Sequence, residues 1–275
     1  MTAGIVGLGL MGGSLALELK ELNFIKRVLG YDRNKEHIKD AKRLNLVDEV
    51  VDFNTIKKCD VIFLAIPVEG IIETVNRLKD IDKNATIIDL GSTKEKIVKN
   101  IPKNIRKNFV AAHPMTGTEK YGPNAAFKGL YKDKIVVLCN IEDSGEKQRE
   151  IAEKIFTKIG MQIVYMDAKE HDKHAAFISH LPHAISYALA NSVLKQEDPK
   201  SILILAAGGF KDMSRLAKSS PNMWVDIFKQ NKKNLLKSLD VFKNELKYAK
   251  TLIENDRWEE LNCWMQNATS LHKIL

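Results

Sequence analysis

The sequence predicts an α/β domain built on a mainly parallel sheet, followed by an all-helical half. Three observations lead there. Up to about residue 166, short β-rich runs alternate with helical stretches, the pattern of a sheet covered on both faces. After Met166 the strand signals vanish. A GxGxxG turn sits directly behind the first strand, where such a sheet binds a ligand. The expected division is therefore 1–166 and 167–275.

Taken in order, the strand candidates are Ala3–Val6, Arg27–Tyr31, Glu49–Val51, Val61–Ile66, Thr86–Asp89, Phe109–Ala112, Ile135–Cys139 and Gln162–Tyr165. Helical patterns lie between several of them, at Gly12–Leu22, Asn34–Leu44, Val68–Leu78 and Glu146–Lys158. The loop from Pro114 to Leu130 is long and Gly-rich, which in a compact domain signals a functional loop. Ala168–Gln196 reads as one long helix, kinked where Pro182 removes a backbone donor. Ser220-Pro221 is a helix start. From Trp224 through Phe228, Leu235, Leu239, Phe242, Leu246 and Ala249 to Ile253, apolar residues recur in one stripe. That stripe reads as a homodimer interface, with an intramolecular bundle as the alternative. A last helix is expected over Arg257–Leu271.

Composition is ordinary globular, with no run long enough to span a bilayer. The start MTAGIVGLG carries no basic segment and enters a Gly-rich turn at once, so no signal peptide is expected. Three cysteines stand far apart without a CxxC pair, which suits a reducing, cytoplasmic setting. The net charge is +8, but Lys and Arg are interleaved with Asp and Glu along the whole chain. Solvated helix faces account for that pattern, so no nucleic-acid partner is expected. A mild positive field would still attract an anionic small molecule.

The chemistry begins at Ile5-Val-Gly-Leu-Gly-Leu-Met-Gly12. Gly7 allows the tight turn, Gly9 lets the backbone approach a pyrophosphate, and Gly12 permits close helix–strand packing. Leu8, Leu10 and Met11 complete the turn, and the helix start offers amide donors to phosphates. Asp32 ends the second strand and is placed to accept hydrogen bonds from ribose hydroxyls. This favours NAD, while the adjacent Arg33, able to pair with a 2′-phosphate, leaves NADP open. Ala65-Ile66-Pro67 and Asp89-Leu-Gly-Ser92 end the next two strands, and His113 ends another. All should meet in one crevice at the carboxyl edge of the sheet. Pro114 biases His113 toward an extended conformation, as a presented group rather than a packed one. Ser92 suits a helix N-cap and is also able to hold an imidazole.

In the helical half His180 and His183 lie three apart on one face. With His171 and His174 they raise a metal site, but no Cys or HExxH pattern supports it and no metal is expected. A buried hydrogen-bonded pair and an anion ligand remain as readings. Gly208-Gly-Phe-Lys-Asp212-Met-Ser-Arg215 offers a guanidinium fork, with Asp212 near enough to orient it on a helix.

GLGLMGGSLA, DLGSTK, HPMTGTE, SHLPHAIS, GGFKDMSRLA and SPNMW occur in this order, and together resemble the prephenate/arogenate dehydrogenase family over nearly the whole chain. The resemblance implies a Rossmann-like domain, an all-helical dimerisation domain, and NAD-dependent oxidative decarboxylation of prephenate to 4-hydroxyphenylpyruvate in tyrosine biosynthesis. Arogenate, or both substrates, is the alternative. A non-catalytic NAD-binding sensor is a distant one, because it would need neither His113 nor Arg215. The length leaves no room for a fused mutase or regulatory domain, so tyrosine, if it inhibits, should occupy the substrate pocket. By resemblance His113 accepts the ring-hydroxyl proton, and Ser92 hydrogen-bonds His113 and that hydroxyl. Arg215 binds a carboxylate, with His183 and His180 near the substrate. Glu119 and Asp212 gate Arg215, and Thr118 and Trp224 line the pocket.

Overall fold

A computed structural model describes residues 1–274 of the chain, apart from the side chain of Leu203. Eight strands form one sheet: β1 (Thr2–Val6), β2 (Arg27–Tyr31), β3 (Glu49–Val50), β4 (Val61–Leu64), β5 (Thr86–Asp89), β6 (Phe109–Pro114), β7 (Ile135–Cys139) and β8 (Gln162–Met166). Their order is β3-β2-β1-β4-β5-β6-β7-β8, parallel throughout except for the β6–β7 pair.

The strands read as continuous apolar runs because both faces are covered. Along β4, Val61 and Phe63 enter one core while Ile62 and Leu64 enter the other. The same two-residue alternation divides β6, with Val110 and Ala112 opposite Phe109 and Ala111. The covering helices are α1 (Leu10–Leu19), α2 (Lys35–Arg43), α3 (Phe53–Ile56), α4 (Val68–Arg77), α5 (Glu95–Lys99) and α6 (Glu146–Lys158). Asn34 caps α2 by accepting the amides of Glu36 and His37.

Two strand ends differ from expectation by two residues, and three others by one. β4 stops at Leu64 because Ala65-Ile66-Pro67 turns into α4, with Pro67 at its N-cap. β6 runs on through His113 and Pro114, since antiparallel pairing with β7 continues to Pro114 opposite Val136.

The sheet ends at Met166, and the compact unit containing it continues through helices to Asn231. These are α7 (Ala168–Ala175), α8 (Leu181–Gln196), α9 (Pro199–Leu205), α10 (Gly208–Ser214) and α11 (Pro221–Gln230). The expected helix over Ala168–Gln196 is continuous, but Ala176–His180 widens into a π turn just before Pro182. That ring cannot donate to the preceding turn, and the backbone there opens accordingly.

The apolar stripe from Trp224 to Ile253 does not lie on one helix. Asn231 leaves helical geometry at φ −110°, ψ 28°, and a second unit begins at Lys232. In that unit α12 (Lys232–Glu254) and α13 (Trp258–Thr269) form a hairpin, with the Trp264 indole donating to Glu245 at 2.9 Å. No helix among the described residues is long and apolar enough to cross a membrane.

Candidate functional site

Strands β1, β4, β5 and β6 are neighbours and parallel, so the turns after them emerge side by side at one edge. The first is the Gly-rich turn. Gly7 has φ +96°, and a Cβ there would stand 2.3 Å from the Ala65 carbonyl oxygen and 2.6 Å from the Ile66 side chain. A Cβ on Gly12 would stand 1.8 Å from the Gly7 carbonyl oxygen. Both positions therefore exclude any side chain. Leu8 and Leu10 bury their side chains in the core, leaving their backbone to face a ligand.

Gly9 differs. Nothing lies within 4 Å of where its Cβ would be, and it caps α1 without any side-chain acceptor. No acidic residue occupies the first turn of α1, which includes Met11. A ten-residue helix thus starts with uncapped amides under open space, the arrangement that accepts a pyrophosphate. Asp32 is held beside the turn, its Oδ2 accepting from Leu8 N at 2.8 Å and lying 3.2 Å from His37 Nδ1. Its Oδ1 accepts from Asn34 N. Arg33 reaches across to Glu73 at 3.7 Å, with both side chains exposed. These residues fit a dinucleotide: the Asp32 carboxylate lies beside the turn where a ribose would need acceptors, and Ile66 stands next to Gly7.

His113 is buried, at 9% exposure, and not presented as the sequence suggested. The reason is visible one residue back. Lys94 is fully buried and paired with the buried Asp89, and its Nζ donates to the Ala112 carbonyl at 2.8 Å. Asp89 Oδ1 accepts from Ala112 N at 3.2 Å. The ion pair therefore holds both backbone groups of Ala112, fixing the strand end that carries His113.

The imidazole bonds to a residue that sequence reasoning did not assign to it. His113 Nδ1 lies 2.8 Å from His171 Nε2, with the rings edge to face. His171 Nδ1 lies 2.8 Å from Asp172 Oδ1. The expected Ser92–His113 hydrogen bond is not found among the described residues, and His171 is the partner of His113 Nδ1. Nor does Ser92 cap α5. Asp172 does so, its two oxygens accepting from Lys94 N and Glu95 N at 2.8 and 2.9 Å. His171 and Asp172 were detectable: Ala168, His171, Asp172 and Ala175 lie at steps of three, four and seven, which marks one buried helix face.

The other histidines divide their roles. His180 is buried, and Asn231 Nδ2 lies 3.2 Å from its Nδ1. An amide nitrogen only donates, so Nδ1 is the acceptor and Nε2 carries the proton. That Nε2, like the buried Trp224 Nε1, has no hydrogen-bond partner among the described residues. His183 Nδ1 donates to the Ser179 carbonyl at 2.9 Å, and its ring stacks on Trp224 at 3.5 Å between centroids. Burial lowers the basicity of all three site histidines. It brings His180 to about 4, and takes His113 well below its usual range with help from His171, Lys94 and His180. The site therefore holds neutral imidazoles at physiological pH.

Arg215 follows α10, and its segment is held by Ala217 N donating to Ser186 Oγ at 3.0 Å. Its side chain is 54% exposed and pairs with Glu119 at 3.6 Å. Asp212 does not orient it: that residue is exposed and makes no ion pair with Arg215. Thr118 is also exposed, its Oγ1 accepting from Lys120 N. No group of three or more potential metal ligands is found among the described residues.

Known proteins resemble the chain over nearly its whole length. Residues 15–165 match the family model described as prephenate dehydrogenase, nucleotide-binding domain, and residues 167–267 match prephenate dehydrogenase, dimerization domain. The chain is 31% identical to prephenate dehydrogenase of Bacillus subtilis, over 96% of this chain and 73% of that protein. It is 34% identical to cyclohexadienyl dehydrogenase of Zymomonas mobilis, over 90% and 87%. The crystal structure of Aquifex aeolicus prephenate dehydrogenase with hydroxyphenyl propionate and NAD+ superposes with a TM-score of 0.92. It is 33% identical, with 99% and 97% of the two chains covered. Two family models in tandem and full-length likeness to a liganded relative leave one assignment: the chain belongs to the prephenate dehydrogenase family.

Proposed function

We propose that the protein oxidatively decarboxylates prephenate to 4-hydroxyphenylpyruvate with NAD, in the cytoplasm, as a step of tyrosine biosynthesis. The observation that carries this reading is the neutral, buried His113 on the sheet edge that also bears the Gly-rich turn. Three strand spacings separate β1 from β6, about 14 Å at the usual interstrand distance. A dinucleotide held at Gly7–Gly12 would reach along that edge toward His113.

Bound NAD would supply the acceptor for the hydride leaving the ring carbon. The protein's part is to take the proton from the hydroxyl on that carbon. His113 Nε2 is the acceptor, since Nδ1 is engaged by His171. A base so placed contributes roughly 10²–10⁴-fold. Loss of CO₂ then makes the ring aromatic, so the reaction needs no metal. Arg215 is suited to a substrate carboxylate, with Glu119 holding it until substrate arrives. His180 Nε2 and Trp224 Nε1 are buried donors without partners among the described residues, suited to substrate oxygens. His183, stacked on Trp224, would line the same space, as would Thr118. Asp212 and Ser92 are assigned to the pocket by resemblance alone.

We further assign residues 1–166 to cofactor binding, and 167–275 to substrate binding and homodimerisation. The dimerization-domain match and the exposed Leu246 and Ile253 of α12 support a dimer. Tyrosine, resembling the product, would inhibit from the substrate pocket. Arogenate is the second reading, favoured by the likeness to a cyclohexadienyl dehydrogenase. Reduced-cofactor formation, followed by absorbance with prephenate and arogenate each paired with NAD and NADP, tests the proposal. His113→Asn should lower kcat by roughly 10² or more with little change in KM. Retention of more than a tenth of wild-type kcat would remove His113 from the role of base.

A further inference from the structure

We propose that His171 and Asp172 are positioning residues that set the tautomer of His113 and take over the charge it acquires. This rests on His113 being the base. The logic runs inward from the carboxylate. Asp172, 2% exposed, accepts only, so His171 Nδ1 carries the proton of their 2.8 Å bond. With a single ring proton, His171, 3% exposed, has its lone pair on Nε2. That nitrogen faces His113 Nδ1 at 2.8 Å, so Nδ1 must donate. The lone pair of His113 is left on Nε2, where a base is required. One carboxylate two residues away thus decides which nitrogen of His113 is basic, as in the carboxylate–histidine pairs of hydrolases.

The same chain handles the proton. The substrate O–H bond breaks as Nε2–H forms, which makes His113 an imidazolium. Its Nδ1 proton then passes to His171 Nε2, so that His113 is neutral again. The charge now lies on His171, 2.8 Å from the Asp172 carboxylate. The groups facing His113 make this transfer favourable. Burial, His171, Lys94 and His180 all oppose a cation on His113, and Asp89 is already paired with Lys94. The β7 residue opposite, Val137, carries no charge. Asp172 is the carboxylate in line, and its cap on Lys94 N and Glu95 N keeps it from turning away.

The test compares wild type with His171→Leu, His171→Gln and His113→Asn in steady-state kinetics from about pH 5 to 9, with NAD affinity as the check on folding. His171→Leu should lower kcat by roughly 10–100-fold, the usual effect of losing the partner that orients a functional histidine. KM should change by no more than about twofold, because the residue touches no substrate. The acid limb of kcat should move to lower pH, since the imidazolium loses its link to Asp172. The amide oxygen of His171→Gln accepts the Nδ1 proton without keeping it. That variant should recover part of kcat while its acid limb stays with that of His171→Leu. An inactive His113→Asn beside a His171→Leu of unchanged kcat and midpoint would overturn the relay. Lost activity with an unmoved midpoint in both His171 variants would reduce His171 to packing, and also overturn it. An active His113→Asn would instead sink the base assignment itself, whatever His171 does.

Discussion

Lowering the pH should destabilise the fold through His180, by an amount the structure sets. His180 is 1% exposed, and the nitrogen that would gain a proton, Nδ1, already accepts from the Asn231 amide. Protonation would set two donors face to face in a dry site. Burial accordingly lowers its pKa to about 4, from 6.5. The unfolded chain therefore binds more protons than the folded one below about pH 7.5, and stability falls with pH until about 4. Between pH 7 and 5 the unfolded histidine gains about three-quarters of a proton, and the folded one less than about a tenth. Integrating that difference gives about 2 kcal/mol for this residue alone. Urea unfolding followed by circular dichroism at both pH values measures it. In His180→Gln, whose amide oxygen can accept from Asn231, the loss between pH 7 and 5 should be smaller by that amount. His113 and His183 titrate in both proteins, so their contributions cancel apart from their charge coupling to His180. Equal losses in wild type and variant, within about 0.5 kcal/mol, would refute the reasoning.

Gly12→Ala should shift the start of α1, because its Cβ would lie 1.8 Å from the Gly7 carbonyl oxygen. A stability loss of about 1–3 kcal/mol in thermal melts and at least about tenfold weaker NAD binding by calorimetry are expected. Cofactor choice should follow Asp32, since Arg33 is drawn toward Glu73. NAD should therefore give the higher kcat/KM, Asp32→Ala should erode that preference, and a tenfold advantage for NADP in wild type would mean that Arg33 dominates. Arg215→Ala should raise KM for prephenate by about tenfold, the lower end for a charged hydrogen bond because the side chain is half exposed. An unaltered KM would take Arg215 out of carboxylate binding.

Much of this was legible from local pattern. The Gly-rich turn, Asp32 and the strand–helix alternation are set by neighbours in sequence, and they stand where sequence reasoning put them. Contacts between distant segments were not. His113 and His171 are 58 residues apart, and no periodicity links a strand end to a helix face across that gap. The burial of Lys94 was not legible either, because its pairing with Asp89 depends on how β5 and β6 lie side by side. The break at Asn231 escaped because the apolar stripe keeps its helical period across it, while Asn231 turns inward to bond Asp172 O and His180.

The reversed direction of β7 has a consequence for how the chain can vary. A parallel successor to β6 would have required a crossover to the opposite edge of the sheet, carrying residues 115–134 away from the crevice. Because β7 instead runs back along β6, with Met115 N bonded to Ile135 O, those residues form a hairpin excursion pinned at both ends. Thr118 and Glu119 ride on it. Lengthening or shortening such an excursion leaves every strand register intact and adds little closure entropy. Insertions and deletions there should alter what the mouth of the crevice admits, while His113 and its partners stay as they are.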